Sequence, residues 1–241
     1  MAALFVSDLH LSEERAAANE RFIDFVEGRA RSADALYILG DFFEYWIGDD
    51  DLEAAFNAVI AGLLQGLTSQ GVPVYLMHGN RDFLIGDAFC RATGAVLLAD
   101  PSVVDIEGEK TLLAHGDTLC TDDHDYQAWR RVARSADWQQ EFLAKPREER
   151  RRMIVGLREK SKTVIQAKPA DIMDVNAGAV VDALRTAGVR RLVHGHTHRP
   201  GRHEHTVDGR LCERWVLPDW YGPGGYLEIA SGGPRMVHFP Q

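Results

Sequence analysis

Residues 192–200 read Leu-Val-His-Gly-His-Thr-His-Arg-Pro and bring His194, His196 and His198 within five positions. Neutral imidazoles so closely spaced are candidate metal ligands, but two or three histidines do not complete a site. Candidate partners end other short apolar runs: Asp8-x-His10 after Ala-Leu-Phe-Val, and Gly40-Asp41 after Ala-Leu-Tyr-Ile-Leu. Gly79-Asn80-Arg81-Asp82 and His115-Gly116-Asp117 close two more. The pooled donors are imidazole nitrogens, carboxylates and one amide, with no sulfur. That set suits Mn²⁺, Mg²⁺, Fe or Zn²⁺ rather than a thiolate-held structural zinc. It also exceeds what one ion takes, and two ions about 3.5–4 Å apart sharing a carboxylate fit the count.

Such donors meet only if the runs that carry them lie side by side. Runs of four to six apolar, partly β-branched residues bounded by turn residues read as buried strands, and functional groups gather beyond the carboxyl ends of strands in α/β sheets. Leu52, Ala55, Phe56, Val59, Ile60, Leu63, Leu64 and Leu67 recur at helical spacing, an amphipathic helix between the second and third runs. Phe22, Phe25 and Val26 mark a weaker one between the first two. After His198 the pattern becomes strand-like, with Asp208-Gly209 as a hairpin turn, and the chain is expected to end in an antiparallel meander. The expected architecture is α/β, two packed sheets with helices outside, as one domain over residues 1–241.

At 241 residues and 45% apolar the chain can bury a sizeable core. It has no apolar run long enough to span a bilayer and no basic, apolar leader, so a cytoplasmic address is expected. Cys90, Cys120 and Cys212 form no CxxC pair and read as reduced thiols. A net charge of −9 speaks against nucleic acid as a partner. The charge is uneven, however: Tyr126–Lys168 holds twelve Lys and Arg against five Asp and Glu, a balance of +7, which leaves −16 elsewhere. The segment from about 123 to 170 shows no strand character and interleaves Trp129, Trp138, Phe142, Met153 and Leu157 with its bases, broken at Pro146. It reads as a helical insertion. Either its charges form a solvated face over a small local core, or its bases and aromatics serve the site.

The ordered set D-x-H, GD, GN-x-D, H, GH-x-H resembles the calcineurin-like metallophosphoesterases, which are α/β/β/α sandwiches of two mixed sheets. The stretches FVSDLHL, LGDFFEYWIGDD, HGNRDFLIG, HGDTLCTDDHDYQAWR and GHTHRP are similar to the branch of that family that cleaves the diphosphate of UDP-2,3-diacylglucosamine, releasing UMP and 2,3-diacylglucosamine 1-phosphate in lipid A synthesis, usually with Mn²⁺. The resemblance implies that Asp8, His10, Asp41 and His198 hold one ion and Asp41, Asn80, His115 and His196 the other, with Asp41 bridging. It puts catalysis at Asp41, Asn80, Arg81, His115 and His196. Asn80, Arg81, Asp122, Tyr126, Ser161, Lys168 and His196 would contact substrate, with the helical insertion as a lid. It also implies peripheral contact with the anionic cytoplasmic face of the inner membrane. Ile165 stands where relatives carry a polar contact. His194 falls outside the ligand pattern and reads as a hydrogen-bonded structural histidine; His203 and His205 belong to a solvated strand. Asp82 either orients a ligand or closes its turn.

Arg81 replaces the His of the wider family's GNHD. An alkoxide leaving group needs a general acid, whereas a phosphate, with its second pKa near about 6, leaves without one. A guanidinium cannot serve as that acid, but it can clamp phosphate oxygens, and the exchange favours diphosphate cleavage. A soluble-substrate phosphatase on the same scaffold is the rival, since it would not need the amphipathic insertion. A scaffold protein without chemistry should have lost ligands.

Overall fold

The computed structural model describes residues 2–167 and 172–240. Strands β1 (Ala3–Val6), β2 (Ala35–Leu39), β3 (Val74–Met77) and β4 (Val96–Leu98) lie parallel and alternate with helices α1 (Ala16–Glu27), α2 (Ala55–Ser69) and α3 (Asp87–Thr93). With β10 (Gly225–Ala230) and β11 (Gly233–His238) they form a six-stranded sheet in the order β11-β10-β1-β2-β3-β4. Strands β5 (Ser102–Ile106), β6 (Glu109–Leu113), β7 (Arg191–His194), β8 (Gly201–Val207) and β9 (Arg210–Val216) make the second sheet, ordered β5-β6-β7-β9-β8. Between β6 and β7 run α4 (His124–Ala133), α5 (Ala136–Leu143), α6 (Arg147–Ala167) and α7 (Ala177–Ala187).

The continuous apolar runs are explained by burial on both strand faces. Along β1, Leu4 and Val6 pack with Phe22, Phe25, Leu64 and Phe89 of the helices, while Ala3 and Phe5 pack with Val193, Trp215 and Leu217 of the other sheet. A third cluster joins Leu112 and Leu192 to Val180 and Leu184 of α7. Helix, sheet, sheet, helix is therefore the layer order, as expected from sequence. Two local readings need correction. The helix predicted from Leu52 starts at Ala55, and Val59 faces outward at 58% exposure. The last strands form no single meander: β8–β9 belongs to the second sheet and β10–β11 to the first. The Asp208-Gly209 hairpin is present, with φ of 50° and 76°, the positive pair that a type I′ turn requires.

Helices α4 to α6 cover one edge of the site. Asp123 and Ser135 cap α4 and α5 by accepting from Tyr126 N and Trp138 N, which satisfies otherwise unpaired helix-start amides. Phe142 is buried at 2% and stacks on Trp138 at 4.9 Å, so α5 is pinned into the main core. Arg150 donates to Ile47 O and Asp50, and Arg151 to Asp51.

Candidate metal and diphosphate site

The carboxyl ends of β1, β2 and β3 in one sheet and of β6 and β7 in the other converge. They bring Asp8, His10, Asp41, Asn80, His115, His196 and His198 into one cluster. Asp8 N donates to Gly40 O at 3.1 Å and His10 N to Asp41 O at 2.9 Å, so the first two loops are laced together. Asp82 laces the third: its carboxylate accepts from Phe42 N at 2.7 Å and Gly79 N at 2.8 Å. Of its two readings, loop closure is the one the contacts fill. Gly79 is needed for the approach, because a Cβ there would stand 2.1 Å from Asp41 N and Oδ1. A Cβ on Gly195 would stand 2.0 Å from Ser7 Oγ.

Asp8, His10, Asp41, His196 and His198 all have φ between 51° and 65°, a left-handed backbone uncommon outside glycine. Strain of this kind persists where the surroundings dictate it, typically at functional sites. It turns five donors inward.

His10 Nε2 and His198 Nε2 lie 3.4 Å apart, and Asp8 Oδ1 lies 3.3 Å from His198 Nε2 and 3.9 Å from His10 Nε2. That Asp8 oxygen is buried with no hydrogen bond. On the other side Asn80 Oδ1 sits 3.0 Å from His115 Nε2 and 2.9 Å from His196 Nδ1, with Asp41 Oδ1 3.8 Å from His115 Nε2. His115 Nδ1 donates to Leu39 O at 2.9 Å, which leaves Nε2 as the lone-pair nitrogen facing the cluster. Asp8, His10 and His198, and separately Asp8, Asp41 and His115, have donor atoms within 4.8 Å of one another. Burial lowers the His115 imidazole, but the carboxylates of Asp41, Asp117, Asp8 and Asp100 outweigh it and lift it to about 9. His196 in the same cluster is instead held down at about 4, by burial first and then by His115, so the fit to divalent cations rests on the donor set and on a buried carboxylate oxygen without a hydrogen bond between two facing imidazoles.

His194 lies apart from the cluster. It is fully buried, Nδ1 donates to Gly195 O at 2.8 Å, and Nε2 accepts from Arg214 Nη1 at 3.2 Å. Both ring nitrogens are used.

A cavity of about 620 Å³ opens on the cluster. Its lining includes His10, Asp41, Asn80, Arg81 and His196, the apolar Trp46, Phe83, Trp129, Trp138, Ile154 and Leu157, and the charged Glu44, Asp123, Arg130, Arg134 and Arg158. Tyr126 lines it too, with its hydroxyl donating to Asp117 at 2.8 Å and its ring 5.8 Å from that of His196. Asp122 is placed differently: both its oxygens accept from Asn176 Nδ2 at 3.0 Å, and the neighbouring Asp123 is the one on the cavity wall. The Ser161 and Ile165 side chains and Lys168 lie outside the described residues.

Among the cavity residues that went unread in the sequence are Glu44, Tyr45 and Arg158. Glu44 did carry a signal, a lone charge between Phe43 and Tyr45 in an apolar stretch, which is costly to bury unless it has partners. Burial raises its carboxyl, but adjacent His10 and the guanidinium charges of Arg81 and Arg158 hold it down at about 2.

Residues 1–200 match the family model for calcineurin-like phosphoesterases. A curated relative from Aromatoleum aromaticum, named UDP-2,3-diacylglucosamine hydrolase, is 51% identical over 98% of this chain and 96% of its own. Proteins of the same name from Pseudomonas paraeruginosa and Klebsiella pneumoniae are 49% and 45% identical, each with both chains fully covered. Similarity of that extent, on a two-sheet sandwich whose strand ends gather the donors of the D-x-H, GD, GN, H and GH-x-H motifs, places the chain in the calcineurin-like phosphoesterase family.

Proposed function

We propose that this chain hydrolyses the diphosphate of UDP-2,3-diacylglucosamine, giving UMP and 2,3-diacylglucosamine 1-phosphate. The observation that carries the reading is the junction of two unlike surfaces: an apolar, aromatic-lined cavity of about 620 Å³ opening directly onto the ligand cluster. A water-soluble phosphate ester needs only the second; acyl chains gain roughly 25 cal/mol per Å² buried in the first. The relatives that share half of this sequence carry the same substrate in their name.

Asp8, His10, Asp41 and His198 would hold one divalent ion and Asp41, Asn80, His115 and His196 the other, with Mn²⁺ as the ion we expect. When bound, such ions supply positive charge against the diphosphate and acidify a water. The chain's own groups do the rest. His115, fixed through Nδ1 on Leu39 O, and Asn80, held between two imidazoles, keep the cluster's polar face in place. Arg81, backed by its amide on Asp41 Oδ1 at 2.8 Å, presents a guanidinium to the diphosphate. The leaving group departs as a phosphate and calls on no acid from the chain.

Among the described residues no helix is long and apolar enough to cross a membrane. Trp129, Val132, Leu143 and Val155 are nonetheless exposed on the basic insertion. That mixture supports peripheral contact with an anionic bilayer. Flotation with anionic but not zwitterionic vesicles is the expected result; equal flotation with both, or none, would remove it.

The substrate reading is tested by comparing kcat/KM for UDP-2,3-diacylglucosamine and its deacylated counterpart. A strong preference for the acylated compound is expected. Equal rates would favour a phosphatase for soluble esters.

A further inference from the structure

Glu44 is buried at 5% exposure, and its backbone is fixed by Glu44 N donating to Leu11 O at 3.0 Å. Its two oxygens face different parts of the molecule. Oε2 lies 3.2 Å from His10 Nδ1 and accepts from Tyr221 OH at 3.1 Å. Oε1 accepts from Arg158 Nη2 of α6 and lies 4.0 Å from Arg81 Nη1.

We infer that Glu44 is a positioning residue that ties helix α6 of the insertion to the metal centre, aiming His10 Nε2 at the metal with one oxygen and Arg158 at the diphosphate with the other. An imidazole that ligates through one nitrogen is oriented by an oxygen that receives the other N–H. His10 Nδ1 is buried and makes no aligned hydrogen bond, so the carboxylate beside it is the group that a slight rotation would engage. Arg158 is a long side chain on α6, and its guanidinium rests on Glu44 and lies 5.6 Å from the Tyr45 ring centre. One carboxylate facing two guanidiniums leaves a net positive charge at the mouth of the cluster, where an anionic diphosphate would sit. Occupancy at His10 and the placement of α6 are then coupled, and coupling of this kind acts in both directions. The Arg158 half rests on the substrate reading above; the metal half does not.

The test uses the full-length chain. Calorimetric titration with Mn²⁺ should show Glu44→Gln binding at least about tenfold more weakly than the parent, the loss typical of an outer oxygen partner. Arg158→Met should weaken Mn²⁺ binding by a smaller factor than Glu44→Gln, since coupling that lets the ion protect α6 must also act on the ion. With the acylated substrate, Arg158→Met should raise KM in the parent by a much larger factor than in the Glu44→Gln background. Hydrogen exchange gives a check that does not depend on Glu44→Gln folding: Mn²⁺ should slow exchange of α6 amides in the parent and much less in Arg158→Met. Parent-like Mn²⁺ affinity in Glu44→Gln, equal KM effects in both backgrounds, or equal α6 protection in both proteins would each overturn the inference. If the substrate reading alone fails, no variant will turn over the acylated compound while the calorimetric and exchange results stand.

Discussion

His194 makes stability depend on pH in a way that can be isolated. Burial, then the adjacent Arg214 charge, push its imidazole down from the usual 6.5 to about 3. The folded chain therefore keeps this ring neutral at pH values where the unfolded chain protonates it. As pH falls below about 6.5 the unfolded state gains a proton that the folded state cannot take, so stability is lost until pH reaches about 3. At about 1.4 kcal/mol per unit the full loss is about 5 kcal/mol, and the part between pH 7 and pH 5 is about 2 kcal/mol.

The matching variant is His194→Gln, which removes the titration and leaves an amide able to accept from Arg214. Urea unfolding at pH 7, 6 and 5, with both proteins stripped of metal by chelation, gives the comparison. The variant is expected to start less stable, because a polar contact is altered in a fully buried position; only the change with pH counts. Between pH 7 and pH 5 the parent should lose about 2 kcal/mol more than the variant. Parallel losses, or a steeper loss in the variant, would show that His194 is not held neutral by its surroundings.

Asp41→Ala should cut turnover by well over tenfold, more than about 1.4 kcal/mol of barrier, with metal content by elemental analysis falling alongside; activity within tenfold would remove Asp41 from the centre. Gly79→Ala forces a Cβ onto Asp41 and should lower metal occupancy although position 79 itself offers no ligand, so parent-like occupancy would count against the close approach. Phe142→Ala opens a cavity under α5 and should cost about 3–5 kcal/mol in urea unfolding. It should also reduce turnover of the acylated substrate more than that of a small phosphodiester; equal reductions would separate α5 from the acyl cavity.

The layers and the clustering of the candidate donors were legible because both rest on short-range pattern. A run such as Ala35–Leu39 announces a strand buried on both faces, and a strand end carrying Asp or His beside glycine announces a donor. Sheet membership of the last strands was not legible. The Asp208-Gly209 turn fixes β8 against β9, but nothing local tells that the loop at 217–224 carries the chain across to pair β10 with β1. Nor was the left-handed backbone at five of the candidate ligands, since Asp and His favour that region only modestly. Glu44 was visible as an anomaly, yet its partner Arg158 lies 114 residues away on a helix whose docking no periodicity reveals.

That docking accounts for part of the charge asymmetry of the sequence. Three arginines on one helix, Arg150, Arg151 and Arg158, meet Asp50, Asp51 and Glu44 of the segment between β2 and α2. Part of the basic excess therefore serves to seat the insertion on an acidic rim, the structural role. Arg150 is almost wholly buried in doing so, and a buried charge stripped of its partner is costly, so this seat is specific rather than a diffuse attraction. Seating α6 there places Ile154 and Leu157 with Trp46, Trp129 and Trp138 around the cavity. The same ion pairs that anchor the helix thus create the apolar wall. A chain with an uncharged insertion of equal hydrophobicity would have the material for that wall but nothing to set its distance from the ligand cluster.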